Sequence, residues 1–234
     1  MIWLGAGVLA LGTAIVLANW VGSPISADTG IKIQNLGSFI AGAIHFAGAL
    51  AAFSSNAPIK SSVGRRVLVL TAAYGGAIAA IALLTLLSAA QLLPVFFVPG
   101  QGGTDLRQGI LTIAMTLFAA SALLSLLIHS RSRSLFMYIY GMGLALLCIG
   151  QLAYIYATSI ADAMSWLGRT GQWLGAIYFA VACVTVIRQS RTERDGLQEA
   201  IESLFPSSAE GYRLLVQSSP DAIIGVDGAG RVLV

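Results

Sequence analysis

Charge is what this sequence lacks most. Only 10% of its 234 residues are Asp, Glu, Lys or Arg, against about 25% in soluble domains, and that scarcity excludes an ordinary water-soluble globule. Cysteine is nearly absent as well. Cys148 and Cys183 are the only two, both in apolar runs, so no disulfide framework is expected and both read as small buried residues. Histidine is equally rare, with His45 and His129 alone. No Cys/His/carboxylate spacing suits zinc, and no nucleophile, base and orienting group stand together as an enzyme site would need. A basic segment ahead of the first apolar run is also missing, so that run is expected to be a retained anchor rather than a cleaved signal peptide. An upstream extension stays open.

What is present is apolar. Hydrophobic residues make up 57% of the chain and the mean hydropathy is +0.83. A bilayer core needs about 20 apolar residues at about 1.5 Å rise each, and six stretches qualify, about 1–21, 33–53, 66–90, 107–129, 134–157 and 170–187. The expected fold is an all-α membrane protein, a six-transmembrane-helix bundle over residues 1–187. The net charge of +3 then reflects topology rather than an anionic partner, and nucleic acid is not expected to bind. Lys60, Arg65, Arg66, Arg131, Arg133, Arg188, Arg191, Arg194, Arg213 and Arg231 fall on one side of such a bundle, and Lys32, Arg107 and Arg169 on the other. That asymmetry places both termini in the cytoplasm. Small residues are expected to let helices approach closely: Gly37, Ala41, Gly48 and Ala52; Gly75, Gly76, Ala79 and Ala80; Gly141 and Ala145. No internal repeat is evident, which counts against an inverted-repeat transporter.

Polar residues inside a membrane are costly and are functional candidates by default. Gln34, Asn35, Gln91, Gln151, Tyr154 and Gln172 map to the outer half, with Asn19 and Trp20 at the end of the first span. Asp28, Asp105, Arg107, Asp162 and Arg169 map to the outer loops. The expectation is a partly polar, outward-facing pocket whose candidate ligand-binding residues are Gln34, His45, Gln91, Asp105, Arg107, Gln151, Tyr154, Arg169 and Gln172. The competing reading makes each an interfacial anchor or an interhelical hydrogen-bond partner. Between Leu93 and Arg107, the run Val95–Val98 is too short to span and is expected to lie at the interface or dip back toward the bundle. The glycines that follow, Gly100, Gly102 and Gly103, permit positive φ.

Haem has one candidate ligand, His45. His129 lies at the opposite end of its span, about 15 Å away in height at 1.5 Å per residue, so the two cannot share an iron within one chain. Only His45 paired across a symmetric dimer would serve. The simpler expectation for His45 is a hydrogen bond to a backbone carbonyl or to Tyr74, with no cofactor.

Beyond the last span, residues 188–208 turn charged and helical. Ile187, Leu197, Ile201 and Leu204 fit a heptad seam, interrupted at Arg194 and Gly196, which points to a linker helix pairing in a homodimer. The competing reading is an unpaired solvated linker. Tyr212–Val234 then reads as a short amphipathic helix, a break at Ser219-Pro220, a β-rich run from Ala222 to Val226, the turn Asp227-Gly228-Ala229-Gly230 and the start of a strand. This pattern resembles the opening of a PAS sensory domain. The resemblance covers Tyr212–Val234, and the expected domain fragment, residues 209–234, is a truncated α/β start too short to close a core. Phe97–Thr104 and Trp166–Tyr178 resemble segments of the N-terminal membrane-associated sensor regions, of the MASE kind, found in prokaryotic PAS-containing histidine kinases and related proteins. The resemblance implies a sensory input module of a PAS-linked histidine kinase or cyclic-dinucleotide enzyme in a prokaryotic plasma membrane. It further implies an unidentified small-molecule or lipid stimulus, and a response regulator reached through domains outside this chain. A transporter or channel with a regulatory tail, or a haem- or quinone-binding redox protein, is the alternative.

Overall fold

The computed structural model of the chain describes residues 2–54, 63–98, 101–159 and 161–204, so the expected PAS start lies outside the described residues. Two compact units divide the chain, Met1–Thr185 and Val186–Val234. The final helix runs past Thr185 into the described residues of the second.

Seven α-helices account for nearly all of the described structure: α1 (Ile2–Leu17), α2 (Ser23–Ile25), α3 (Ala27–Ser54), α4 (Val63–Ala89), α5 (Asp105–Ser132), α6 (Leu135–Tyr156) and α7 (Ala163–Leu204). A π-helical turn, Ala18–Gly22, joins α1 to α2, and two short strands, β1 (Phe97–Val98) and β2 (Gly102–Gly103), lie between α4 and α5. Six segments are long and apolar enough to cross a membrane: Trp3–Ile25, Ala27–Ser54, Val67–Ala89, Asp105–Ser132, Leu135–Tyr156 and Ala163–Thr192. They coincide with the six expected spans, but two begin earlier than hydropathy alone suggests. The second starts at Ala27 rather than near 33, because Ser26 is extended and its hydroxyl caps the new helix, accepting from the Thr29 N–H at 3.0 Å. The sixth starts at Ala163 rather than near 170, for a reason found at Asp162.

Packing runs α1 on α3 and α4, α3 on α5, and α5 on α6. The core they enclose contains Leu4, Ala10, Ala14, Ala41, Ile81, Phe118, Leu144, Leu147, Phe179 and Ala182. With no water in hydrocarbon, hydroxyls inside the spans must find acceptors at home. Thr85, Ser88, Ser121 and Ser125 each donate to the carbonyl four residues earlier, at 2.6–2.8 Å. The outer faces expose Leu68, Leu83, Leu86, Leu123, Ile149, Ile177 and Val184, as lipid-facing surfaces do. Cys183 is exposed among them and Cys148 is half-buried, so neither is the fully buried residue the sequence suggested.

The small residues sort unevenly. Gly37 lies against Ala14, and Gly48 against Trp3 and Leu4, as expected for close helix contacts. Gly75 and Gly76 face open space and make no such contact within the described chain. A seam of several glycines joins α6 to α7 instead. A Cβ on Gly150 would sit 2.9 Å from the Gly168 carbonyl oxygen, one on Gly171 2.9 Å from the Leu146 carbonyl oxygen, and one on Gly175 3.0 Å from that of Gly143. Backbone meets backbone there, and no side chain can give way. Gly150→Val or Gly171→Val should therefore destabilise the detergent-solubilised protein by about 1–3 kcal/mol, measured by thermal unfolding. Gly75→Ala should be neutral or stabilising by up to about 1 kcal/mol, and equal midpoints for all three would refute the seam.

Candidate functional site

Polar residues concentrate at the end of the bundle that carries the β1–β2 hairpin, and they form two adjoining assemblies. The first is a clamp. Asp28, in the first turn of α3, pairs through Oδ2 with Lys32 Nζ at 2.7 Å, one helical turn on. Its Oδ1 accepts the backbone N–H groups of Phe96 and Phe97, both at 2.8 Å. Lys32, only 1% exposed, also donates to Gln91 Oε1 at 3.5 Å, and Gln91 Nε2 donates to Thr29 Oγ1 at 2.8 Å. Gln91 can reach back because it leaves α4 in the left-handed region, φ 56°. Phe96 and Phe97 are thereby held in the core. Phe97 pairs with Gly103 and Val98 with Gly102, whose φ of 91° suits glycine. The loop thus folds back onto the bundle.

The second assembly ties α3, α6 and α7 together. Gln34 Nε2 donates to the Tyr154 hydroxyl and to Gln172 Oε1, each at 3.1 Å, and the Tyr154 hydroxyl donates to Gln172 Oε1 at 3.2 Å. Arg107 enters from the first turn of α5, whose N-cap Thr104 accepts the Arg107 N–H at 3.4 Å. Its guanidinium lies inside the protein and donates to the Tyr154 carbonyl at 3.2 Å. Two cavities flank this network. The larger, about 410 Å³, is walled by the π-turn residues Ala18 and Asn19, by Ile31 and Gln34 of α3, and by Trp166, Arg169, Gln172 and Trp173 of α7. The smaller, about 50 Å³, shares Ile31, Gln34 and Arg169 and adds Asn35, Arg107 and Tyr154.

Asp162 starts α7. Its Oδ1 accepts the Ser165 N–H at 2.7 Å, and its Oδ2 accepts the N–H groups of Thr158 at 2.6 Å and Ser159 at 3.0 Å. These donors, Ser165 first and Ser159 next, pull the carboxyl pKa from 3.8 down to about 2. The helix therefore begins a full two turns before the apolar run does, placing Trp166 and Arg169 on it; the Arg169 guanidinium lies 4.9 Å from the Trp166 ring centre.

Of the residues the sequence singled out, Gln34, Arg107, Tyr154, Arg169 and Gln172 come together around the cavities. Gln91 belongs to the clamp next door. Asp105 is exposed in the first turn of α5 and joins neither. Gln151 is buried in α6, its amide atoms without hydrogen-bond partners among the described residues, and lines neither of the two cavities. His45 sits deep in the core, its ring within 5.7–5.9 Å of Phe118, Tyr140 and Phe179. Its Nδ1 is bonded to the Tyr140 hydroxyl, not to Tyr74. Tyr74 instead approaches Gly5. Arg107 and Lys32, read from the sequence as loop charges, are both buried helix residues. Lys32 was the omission that matters, and the Asp28–Lys32 spacing of four was the signal for it.

No known family, curated protein or solved structure matches this chain.

Removing one partner of a buried ion pair strands the other, so Lys32→Met and Asp28→Asn should each lower the unfolding midpoint by more than the double variant's loss would imply if the effects added. Additive losses would show that the pair is not coupled. Because the Asp162 pKa is depressed in the folded state, its contribution is present above its unfolded value of 3.8 and lost as pH falls toward about 2. Asp162→Asn should unfold at a lower temperature than the parent near neutral pH, and the gap should close on acidification. A gap independent of pH would remove the carboxylate from that role.

Proposed function

We propose that residues 1–187 form the membrane-embedded sensory input module of a signalling protein, which passes a stimulus through α7 to a PAS domain and then to a histidine kinase or cyclic-dinucleotide enzyme. In this reading the hairpin end faces outward, both termini are cytoplasmic, and the module works as a homodimer in a prokaryotic plasma membrane. One observation carries it. The Gln34–Tyr154–Gln172 network lies on the wall of the 410 Å³ cavity and links α3 and α6 to α7, so an occupant that competes for Gln172 acts directly on the helix that leaves the membrane. The volume is within the range of small-molecule sites. A stimulus shifts the balance only by binding two helix arrangements unequally, and a wall shared by three helices supplies that difference. The PAS-like pattern of residues 212–234 supports the direction of transfer. A transport path would have to continue past Leu4, Ala10, Phe118, Leu144 and Leu147, which fill the core.

The test joins this chain to a kinase output in place of its own downstream domains. Insertion of four residues after Asp195 turns a helix by more than a full turn and shifts any heptad phase. It should change basal output without changing membrane insertion, and Gln172→Leu should shift the same output. Unaltered output in both variants would defeat the reading. So would topology reporters active outside the cell when fused after Val234.

A further inference from the structure

We infer that the paired cavities take an amphiphilic anion, a carboxylate-like head on an apolar body. The inference rests on the input-module reading and names the chemistry of its ligand. The walls are one-sided in what they offer. Neither cavity is lined by Asp or Glu, whereas Arg169 lines both and Arg107 the smaller. The nearby carboxylates have partners of their own, Asp28 with Lys32 and the hairpin N–H groups, Asp162 with N–H groups at the start of α7 and, through space, with the Arg107 guanidinium.

Two of the network's acceptors already hold donors. Gln172 Oε1 receives two hydrogen bonds and the Tyr154 carbonyl one. What remains is donors. Gln172 Nε2, Asn35 Nδ2 and Arg107 Nε find no hydrogen-bond partner among the described residues, although their side chains are only 5%, 4% and 5% exposed. Turning the Gln172 amide over would set its NH₂ group against the Gln34 Nε2 donor. Each buried unsatisfied donor costs about 1–3 kcal/mol. An anionic oxygen offsets that cost, and it does so best beside a guanidinium, which pairs with planar carboxylates in particular. A cation or a hydrogen-bond donor would meet the opposite of what it needs.

Size and polarity divide the ligand between the two spaces. The 50 Å³ cavity holds little more than the volume of one or two waters, about 30 Å³ each, which suits a carboxylate. The 410 Å³ cavity is walled by Ile15, Ala18, Ile31, Trp166 and Trp173 beside its polar rim, which suits an apolar body. Ile31, Gln34 and Arg169 belong to both, so the two spaces adjoin, and the proposed ligand spans them.

The experiment uses the whole chain, with Trp3→Phe and Trp20→Phe so that Trp166 and Trp173 alone report, in phosphatidylcholine nanodiscs titrated with decanoate or decan-1-ol. Decanoate should give a saturable fluorescence change at a concentration at least about tenfold below that of the alcohol, the scale of one charge-assisted hydrogen bond. Gln172→Glu should raise the decanoate midpoint by about tenfold and leave the alcohol unmoved; Arg169→Gln, which needs no buried residue to change, should do the same. Equal midpoints for acid and alcohol, or no saturation by decanoate, would overturn the inference. Repeating the titration in phosphatidylglycerol nanodiscs identifies the source of the anion. An unchanged midpoint assigns the site to a free carboxylate, and a raised one to a lipid headgroup that already occupies it. The insertion test of the input module uses no ligand, so failure here leaves that test to stand or fall alone.

Discussion

The absence of water inside a bilayer governs this structure. Every N–H, hydroxyl and amide within the spans must find its partner in the protein or remain unsatisfied at a cost. Most hydroxyls meet this locally, by bonding the carbonyl one turn back. Longer polar side chains cannot, and they gather where several helices end together. The Asp28–Lys32 clamp and the Gln34–Tyr154–Gln172 network are two results of that one constraint. The clamp uses both oxygens of a single carboxylate, one for a buried ammonium and one for two backbone N–H groups, and so closes a loop that would otherwise expose unpaired backbone at the membrane end.

How much of this was legible in the sequence depends on the scale of the feature. Six apolar runs mark six spans because the length of a span is a sum over about 20 residues and single errors average out. Where a helix starts is decided by one side chain. Ser26 and Asp162 moved two starts outward by capping, and hydropathy does not see a cap. Both are polar residues at an N-cap position, with Thr29 and Ser165 three residues on, which is a readable pattern once the apolar run is not taken as the whole helix. The glycine seam was harder. Gly75-Gly76 is the more conspicuous pair in the sequence, yet it faces outward, because which face of a helix meets a neighbour is settled by partners far away in the chain.

The candidate site follows the same division. Gln34, Tyr154 and Gln172 were readable as polar residues near one end of their spans, and depth alone brought them to the same level. Gln151 had the same credentials but lies outside the network and the cavity walls. Depth along the membrane is a one-dimensional coordinate, and rotation about each helix axis is the second one that the sequence did not supply. His45 illustrates this from the other side. The sequence offered it as a candidate ligand residue but more simply as a hydrogen-bonded one, with a carbonyl or Tyr74 as partner; the ring is enclosed by Phe118, Tyr140 and Phe179 and bonded to the Tyr140 hydroxyl instead, with the absent side chain of Gly7 making room for it.

The seam and the network together restrict what α7 can do. At Gly143–Gly175 and at Gly150–Gly171 the two backbones already touch, so α7 cannot move closer to α6, and separating them would forfeit the contacts that hold helices together in lipid. Sliding along the seam or turning on it forfeits the least. Gln172 follows Gly171 directly in the chain, so the residue that faces the cavity sits beside the pivot. An occupant that draws Gln172 away from Gln34 and Tyr154 would then translate or rotate α7 by a small shear, the kind of displacement that packed helices sustain without unpacking. A transmembrane input that worked by prying helices apart would need a looser seam than four glycines in backbone contact provide.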